Sequence, residues 1–151
     1  IAAVLFMRRM AESVRVEGVS NEELGTLFPD YCPIGIPAHV QVYSIDGPFF
    51  FGAAETFERA LAGIHGDITV LIIRLGRVPF IDATGMRALK DVIKLFQKRR
   101  VRIILCEANE RVTAKLSQAR IIEQLGNENI YPDLLTALSA IEKPTGRAVN
   151  E

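Results

Sequence analysis

The sequence predicts a mixed α/β fold: a four- to five-stranded β-sheet with an initial hairpin, a parallel strand–helix–strand core and about four packed helices. Three observations predict it. ITVLIIRL (68–75) is apolar on both faces, as a central strand covered on both sides must be. Met86, Leu89, Val92, Ile93 and Phe96 then recur at helical spacing over 84–98, with Arg87, Lys90, Asp91, Lys94 and Gln97 opposite. VRIILC (101–106) follows, after Lys98-Arg99-Arg100 has placed cations where a helix C-terminus favours them. Two strands flanking one helix are joined by a crossover, so they run parallel and the crossover is right-handed.

The remaining elements fall around this core. IAAVLFMRRM opens the chain with an apolar run that meets Arg8-Arg9. It is far short of the ~20 apolar residues of a membrane span. Its arginines match the cytoplasmic flank of one, so residues 1–16 read as a juxtamembrane helix or the end of a transmembrane helix. Residues 17–38, rich in Pro and Gly without a sustained period, read as linker and loop with a turn of helix at Asn21 to Leu27. The compact domain is then expected over 39–143, with 144–151 as a flexible tail. HVQVYSI (39–45) alternates as a half-buried strand, and Asp46-Gly47 joins it in a hairpin to a second strand at Phe49-Phe50-Phe51. Ala54, Phe57, Leu61 and Ile64 mark the next helix. After strand 101–106, Asn109 caps a helix reaching about Ala119, and Ile130-Tyr131 adds a short strand. Pro132 opens a last helix with Leu134, Leu135, Leu138 and Ile141 inward.

Composition narrows the function classes. A chain of 151 residues supports one domain, and 18 basic against 18 acidic residues give zero formal charge. That argues against bulk attraction to nucleic acid. Cys32 and Cys106 stand far apart, outside any metal-ligand spacing, and Cys106 closes an apolar run as a small hydrophobe does. His39 and His65 have no ligand-like neighbours, so no metal site is expected.

The chemically loaded stretch is VPFIDATGMRAL (78–89), where a strand meets a helix through Asp82-Ala83-Thr84-Gly85. A helix N-terminus attracts phosphate, but Asp82 carries the wrong charge, and neither GxxxxGK[ST] nor GxGxxG is present. A phosphoacceptor centre would need further carboxylates; Asp46 and Glu107 are the candidates at the other strand ends, and Asp46 is more economically a turn residue. Nucleophilic catalysis by Thr84 lacks a placed base, so no catalytic residue is expected. Capping of the helix by Asp82 or Thr84 needs nothing else. A docking surface also needs nothing else; by residue chemistry alone its charges Arg87, Lys90, Asp91 and Lys94 are those of a solvated helix face.

The order of an apolar strand, FIDATG, an amphipathic helix and a further strand resembles the STAS domain (sulfate transporter and anti-sigma factor antagonist). The resemblance runs over roughly 38–143, through VQVYSIDGPFFFGAAETFERAL, VLIIRLGRVPFIDATGMRAL, VRIILCEANERVTAKL and ENIYPDLLTAL. The stretch GPFFFGAAE is most similar to the C-terminal cytoplasmic domains of SulP anion permeases, in which IAAVLFMRR would end the last transmembrane helix. The resemblance implies a STAS-like fold and a non-enzymatic regulatory module without a cofactor, and it leaves weak nucleotide binding open. It implies a place on the cytoplasmic face of the inner (plasma) membrane within an integral anion transporter for sulfate-like, bicarbonate or dicarboxylate ions. The transporter's own transmembrane domain would be the partner, with a cytosolic regulatory protein and a homodimer through the parent transporter as further contacts. The turn Asp82, Ala83, Thr84, Gly85 and the face Arg87, Lys90, Asp91, Lys94 would form the interaction surface. In the antagonists of this family a kinase phosphorylates the hydroxyl residue directly after the motif Asp. Here that position is Ala83, and Thr84 is the remaining hydroxyl that could carry phosphate. The alternative expectation is a free-standing antagonist-like switch protein that binds a kinase.

Overall fold

The computed structural model describes residues 15–20, 22, 23, 26, 36–47, 53–64 and 67–142. They form strands β1 (Arg15–Gly18), β2 (Val40–Asp46), β3 (Val70–Arg77), β4 (Arg102–Cys106) and β5 (Ile130–Tyr131). Between and after them lie helices α1 (Ala53–Ala62), α2 (Ala83–Lys98), α3 (Glu110–Gln118), α4 (Ile121–Leu125) and α5 (Leu134–Glu142). The sheet order is β1-β2-β3-β4-β5, antiparallel at β1–β2 and parallel from β2 to β5.

That order decides where the helices go. Each parallel strand is added on the same side of its predecessor, so successive right-handed crossovers deliver their helices to one face. α1 to α4 accordingly share one core with Leu71, Ile73 and Leu75 of β3 and with Ile103 and Leu105 of β4. α5 alone follows the last strand and turns under the sheet. Its Leu134, Ala137 and Leu138 meet Val40 and Val42 of β2, Val70 and Ile72 of β3, and Ile104 and Cys106 of β4. β3 and β4 therefore alternate between two cores rather than between core and water, which explains their nearly unbroken apolar sequence. α2 is the principal helix against the sheet, burying Met86, Leu89, Val92, Ile93 and Phe96 together with Gly85 and Ala88. It closes with Arg99 set over the Phe96 ring at 5.4 Å and with Arg100 turned left-handed at φ 60°.

The expected fold class and parallel core are present, with three differences. An antiparallel pair does open the sheet, but the partner of β2 is β1, in the register Arg15↔Asp46 to Gly18↔Tyr43. The expected strand at Phe49-Phe50-Phe51 lies outside the described residues. Residues 15–18, expected in the juxtamembrane segment and linker, thus belong to the sheet. The strand RVEG is four residues long, contains Glu and Gly, and is specified only by a partner distant in sequence, so no local pattern announces it. The helical turn after it is present at Glu22, Glu23 and Thr26, where the Thr26 hydroxyl donates to the Glu22 carbonyl at 3.1 Å. Second, α4 and the 3-10 turn at Asn127–Asn129 add a short helical stretch between α3 and β5, where the sequence predicts no element. Third, the last helix starts at Leu134, not Pro132, because Asp133 Oδ1 accepts from the Thr136 N–H at 2.7 Å in the manner of an N-cap.

Candidate functional site

The turn between β3 and α2 is built from its ends inward. Val78 and Ile81 are buried in the larger core, which fixes the entry to the helix. Asp82 is extended (φ −97°, ψ −178°), and its Oδ1 accepts from the Gly85 N–H at 2.8 Å. Its carbonyl accepts from the Met86 N–H at 2.9 Å, the first bond of the helical ladder. Asp82 is therefore the N-cap, with its carboxylate turned to the helix. Ala83 and Thr84 follow as the first two helical residues, both exposed, and Gly85 is buried beneath them. One residue does more than its sequence position suggested. Asn109 caps α3 through Oδ1 to the Val112 N–H at 2.8 Å, and its Nδ2 donates to the Val78 carbonyl at 3.1 Å. It ties the β3–α2 turn to the start of the next crossover helix.

Arg87, Asp91 and Lys94 stand exposed along α2, with Lys90 partly covered. The fold adds a second bank that the sequence did not reveal. Lys115, Gln118 and Ala119 at the end of α3 face Asp82, Ala83, Met86, Arg87 and Lys90 across a surface groove. The groove continues between Lys90 and Lys94 on one side and Arg120 and Glu123 on the other. None of Arg87, Lys90, Lys94, Lys115 and Arg120 enters an ion pair among the described residues.

A second charged group lies at the C-terminal edge of the parallel strands, and it is closed on itself. Arg74 grips Glu107 through Nε–Oε2 at 2.5 Å and Nη2–Oε1 at 3.0 Å, with the side chains only 16% and 21% exposed. The Glu107 hydrogen bonds push the already high Arg74 pKa up further. Glu107 has φ 65°, and it comes so close to β3 that a Cβ on Gly76 would stand 3.2 Å from its own Cβ. Gly76 lies where the β2–β3 register slips between the pairs Ser44↔Arg74 and Asp46↔Arg77, so a bulge and a missing side chain together admit Glu107. Cys106 beside it is buried; burial first, and then the Glu107 carboxylate, push its thiol up to about 12.

Asp46, Asp82 and Glu107 do not converge. Asp46 lies 3.3 Å from Arg77, Asp82 caps α2 and Glu107 holds Arg74. Among the described residues no three His, Cys, Asp or Glu side chains stand close enough to hold a metal ion. His39 is exposed, while Cys32 and His65 lie outside the described residues.

A sequentially ordered mixed sheet, four crossover helices on one face, and a capped turn displaying a small residue and a hydroxyl at the second of them are the build of a STAS-type domain. Residues 34–137 match the family described as the STAS domain, and the chain belongs to it. The structure superposes on the STAS domain of a SulP transporter from Vibrio cholerae with a TM-score of 0.67 and 40% identity, over 80% of this chain and 94% of that one. Among curated proteins the chain is 35% identical to sulfate transporter 1.2 of Arabidopsis thaliana over 64% of its length, which is 14% of the transporter. An anti-sigma factor antagonist from Mycobacterium paratuberculosis superposes with a TM-score of 0.65 over 87% of this chain and 97% of that one. At 17% identity that likeness shows the shared fold alone. The chain thus spans a small part of the curated transporters it matches. Among the described residues no helix is long and apolar enough to cross a membrane.

Proposed function

We propose that this chain is the cytoplasmic regulatory domain of a SulP-type secondary anion transporter. It works without catalysis, by presenting the exposed Ala83 and Thr84 of the turn that Asp82 and Gly85 hold in shape, and the adjoining Arg87, Lys90, Asp91 and Lys94, to a partner. The transported ion would be sulfate-like, bicarbonate or a dicarboxylate, and the transport path would belong to a membrane portion outside these residues. The observation that carries the reading is the 40% identity to a SulP transporter's STAS domain across nearly all of that domain. The turn agrees with a docking role. Asp82 is committed to its cap, so it is no free base, and Ala83 has no oxygen for a kinase to modify. Interaction through this corner is therefore constitutive rather than phosphate-switched.

The test is uptake by the full reading frame in proteoliposomes, with labelled sulfate, bicarbonate and succinate. A run of ~20 apolar residues upstream of Ile1 and uptake that changes when 34–137 is deleted are the expected results. Absence of such a run would end the transporter reading. Stoichiometric phosphate on Thr84 in protein from its native cells would end the constitutive one.

A further inference from the structure

The groove between α2 and the α3–α4 turn has a charge and a shape that specify an occupant. Along α2 the cations Arg87, Lys90 and Lys94 follow at i, i+3 and i+7, which spaces them over roughly 10 Å at 1.5 Å per residue. Lys115 and Arg120 line the opposite bank. All five are without an ion pair among the described residues, in a chain whose formal charge is zero. Of the nearby carboxylates, Asp82 is turned into its own helix cap and Asp91, exposed on α2, is not part of the groove lining, which leaves Glu123 at the far end. Between the cations the lining holds Ala83 and Met86 on one side and Gln118 and Ala119 on the other, with no further charge.

We propose that this groove binds an acidic α-helix of a partner protein, whose carboxylates at i, i+3 or i+4, and i+7 pair with Arg87, Lys90 and Lys94 while Lys115 and Arg120 hold its other flank. The inference rests on the docking role proposed above and names the chemistry of the partner. A helix fits because its acidic rows repeat with the same rise as the cationic row, and a third helix laid between two others is a recurrent way of filling such a groove. A bilayer surface fits less well, since these cations line a concavity instead of projecting from a plane.

The test uses the whole 151-residue chain, labelled with 15N. Two synthetic Ala-rich helical peptides are titrated into it, one with Glu at i, i+4 and i+7 and one with Gln at the same places. The Glu peptide should shift amides confined to 83–94 and 115–124 and bind about tenfold tighter than the Gln peptide at low salt. Added salt should erode the difference, and the double variant Lys90→Glu, Lys115→Glu should abolish it. Equal binding of both peptides, shifts elsewhere, or no binding would overturn the proposal. Phosphatidylserine vesicles that perturb the same amides more strongly than the Glu peptide would overturn it in favour of a membrane contact. A photo-crosslinker at position 90 of the full transporter separates this failure from that of the docking role. Crosslinks to the transporter's membrane portion with no binding of the Glu peptide would leave docking intact and remove the acidic helix. Neither signal would remove both.

Discussion

The two charged regions of this domain differ in how their charges are answered. At the ends of β3 and β4, Arg74 and Glu107 are largely buried and fully engaged with each other, and the backbone of Glu107 is held left-handed to make the contact. Along α2, α3 and the α3–α4 turn, five cations stand at the surface with no ion pair among the described residues. A buried ion pair cannot be half removed without stranding a charge, so the first region belongs to the fold. Exposed, unpaired cations contribute little to folding and are available to a partner, which is the role proposed for the second.

Substitutions can break or sharpen this contrast. Arg74→Ala strands the Glu107 carboxylate and should cost about 2–4 kcal/mol of unfolding free energy in urea titrations. A loss below about 1 kcal/mol would show that water takes over the carboxylate and that the pair is not structural. Asp82→Ala removes the α2 cap and should cost about 1 kcal/mol, while the neighbouring Thr84→Ala should stay within about 0.5 kcal/mol. Equal losses would mean that Thr84 shares the capping. Lys90→Glu and Lys115→Glu should each leave stability within about 0.5 kcal/mol of the parent, in contrast to Arg74.

The smallest effect is a pH dependence. The Thr136 backbone and side-chain hydrogen bonds lower the pKa of Asp133. Its contribution is therefore present above the ordinary carboxylate range and is lost as pH falls through the lowered value. Urea midpoints of the parent and Asp133→Asn should differ slightly at neutral pH and converge on acidification. A gap that persists at the acid end would assign the effect to packing.

The contrast itself was only half legible in the sequence. Arg87, Lys90, Asp91 and Lys94 could be placed on one helix face because the apolar residues between them recur at helical spacing, and Asp82 could be read as a cap because its donor is three residues away. Both are local patterns. Arg74 and Glu107 were separated by 33 residues and joined only through the β3–β4 register that sets Arg74 beside Cys106. No periodicity announces such a pair. The second bank of the groove was hidden for the same reason: Lys115 and Arg120 reach α2 only once the crossovers put α2, α3 and α4 on one face.

Legible from the residues alone were the parallel core, the amphipathic face and cap of α2, the lack of a side-chain oxygen at Ala83, and the family. These follow from side-chain chemistry and from periods of two and 3.6 residues, which neighbouring positions express without help. Only the tertiary structure shows that β1 completes the sheet, that Glu107 answers Arg74 across the gap left at Gly76, and that cations of two helices and the α3–α4 turn face one groove. Those facts depend on strand register and crossover hand, which bring together residues that no local pattern relates.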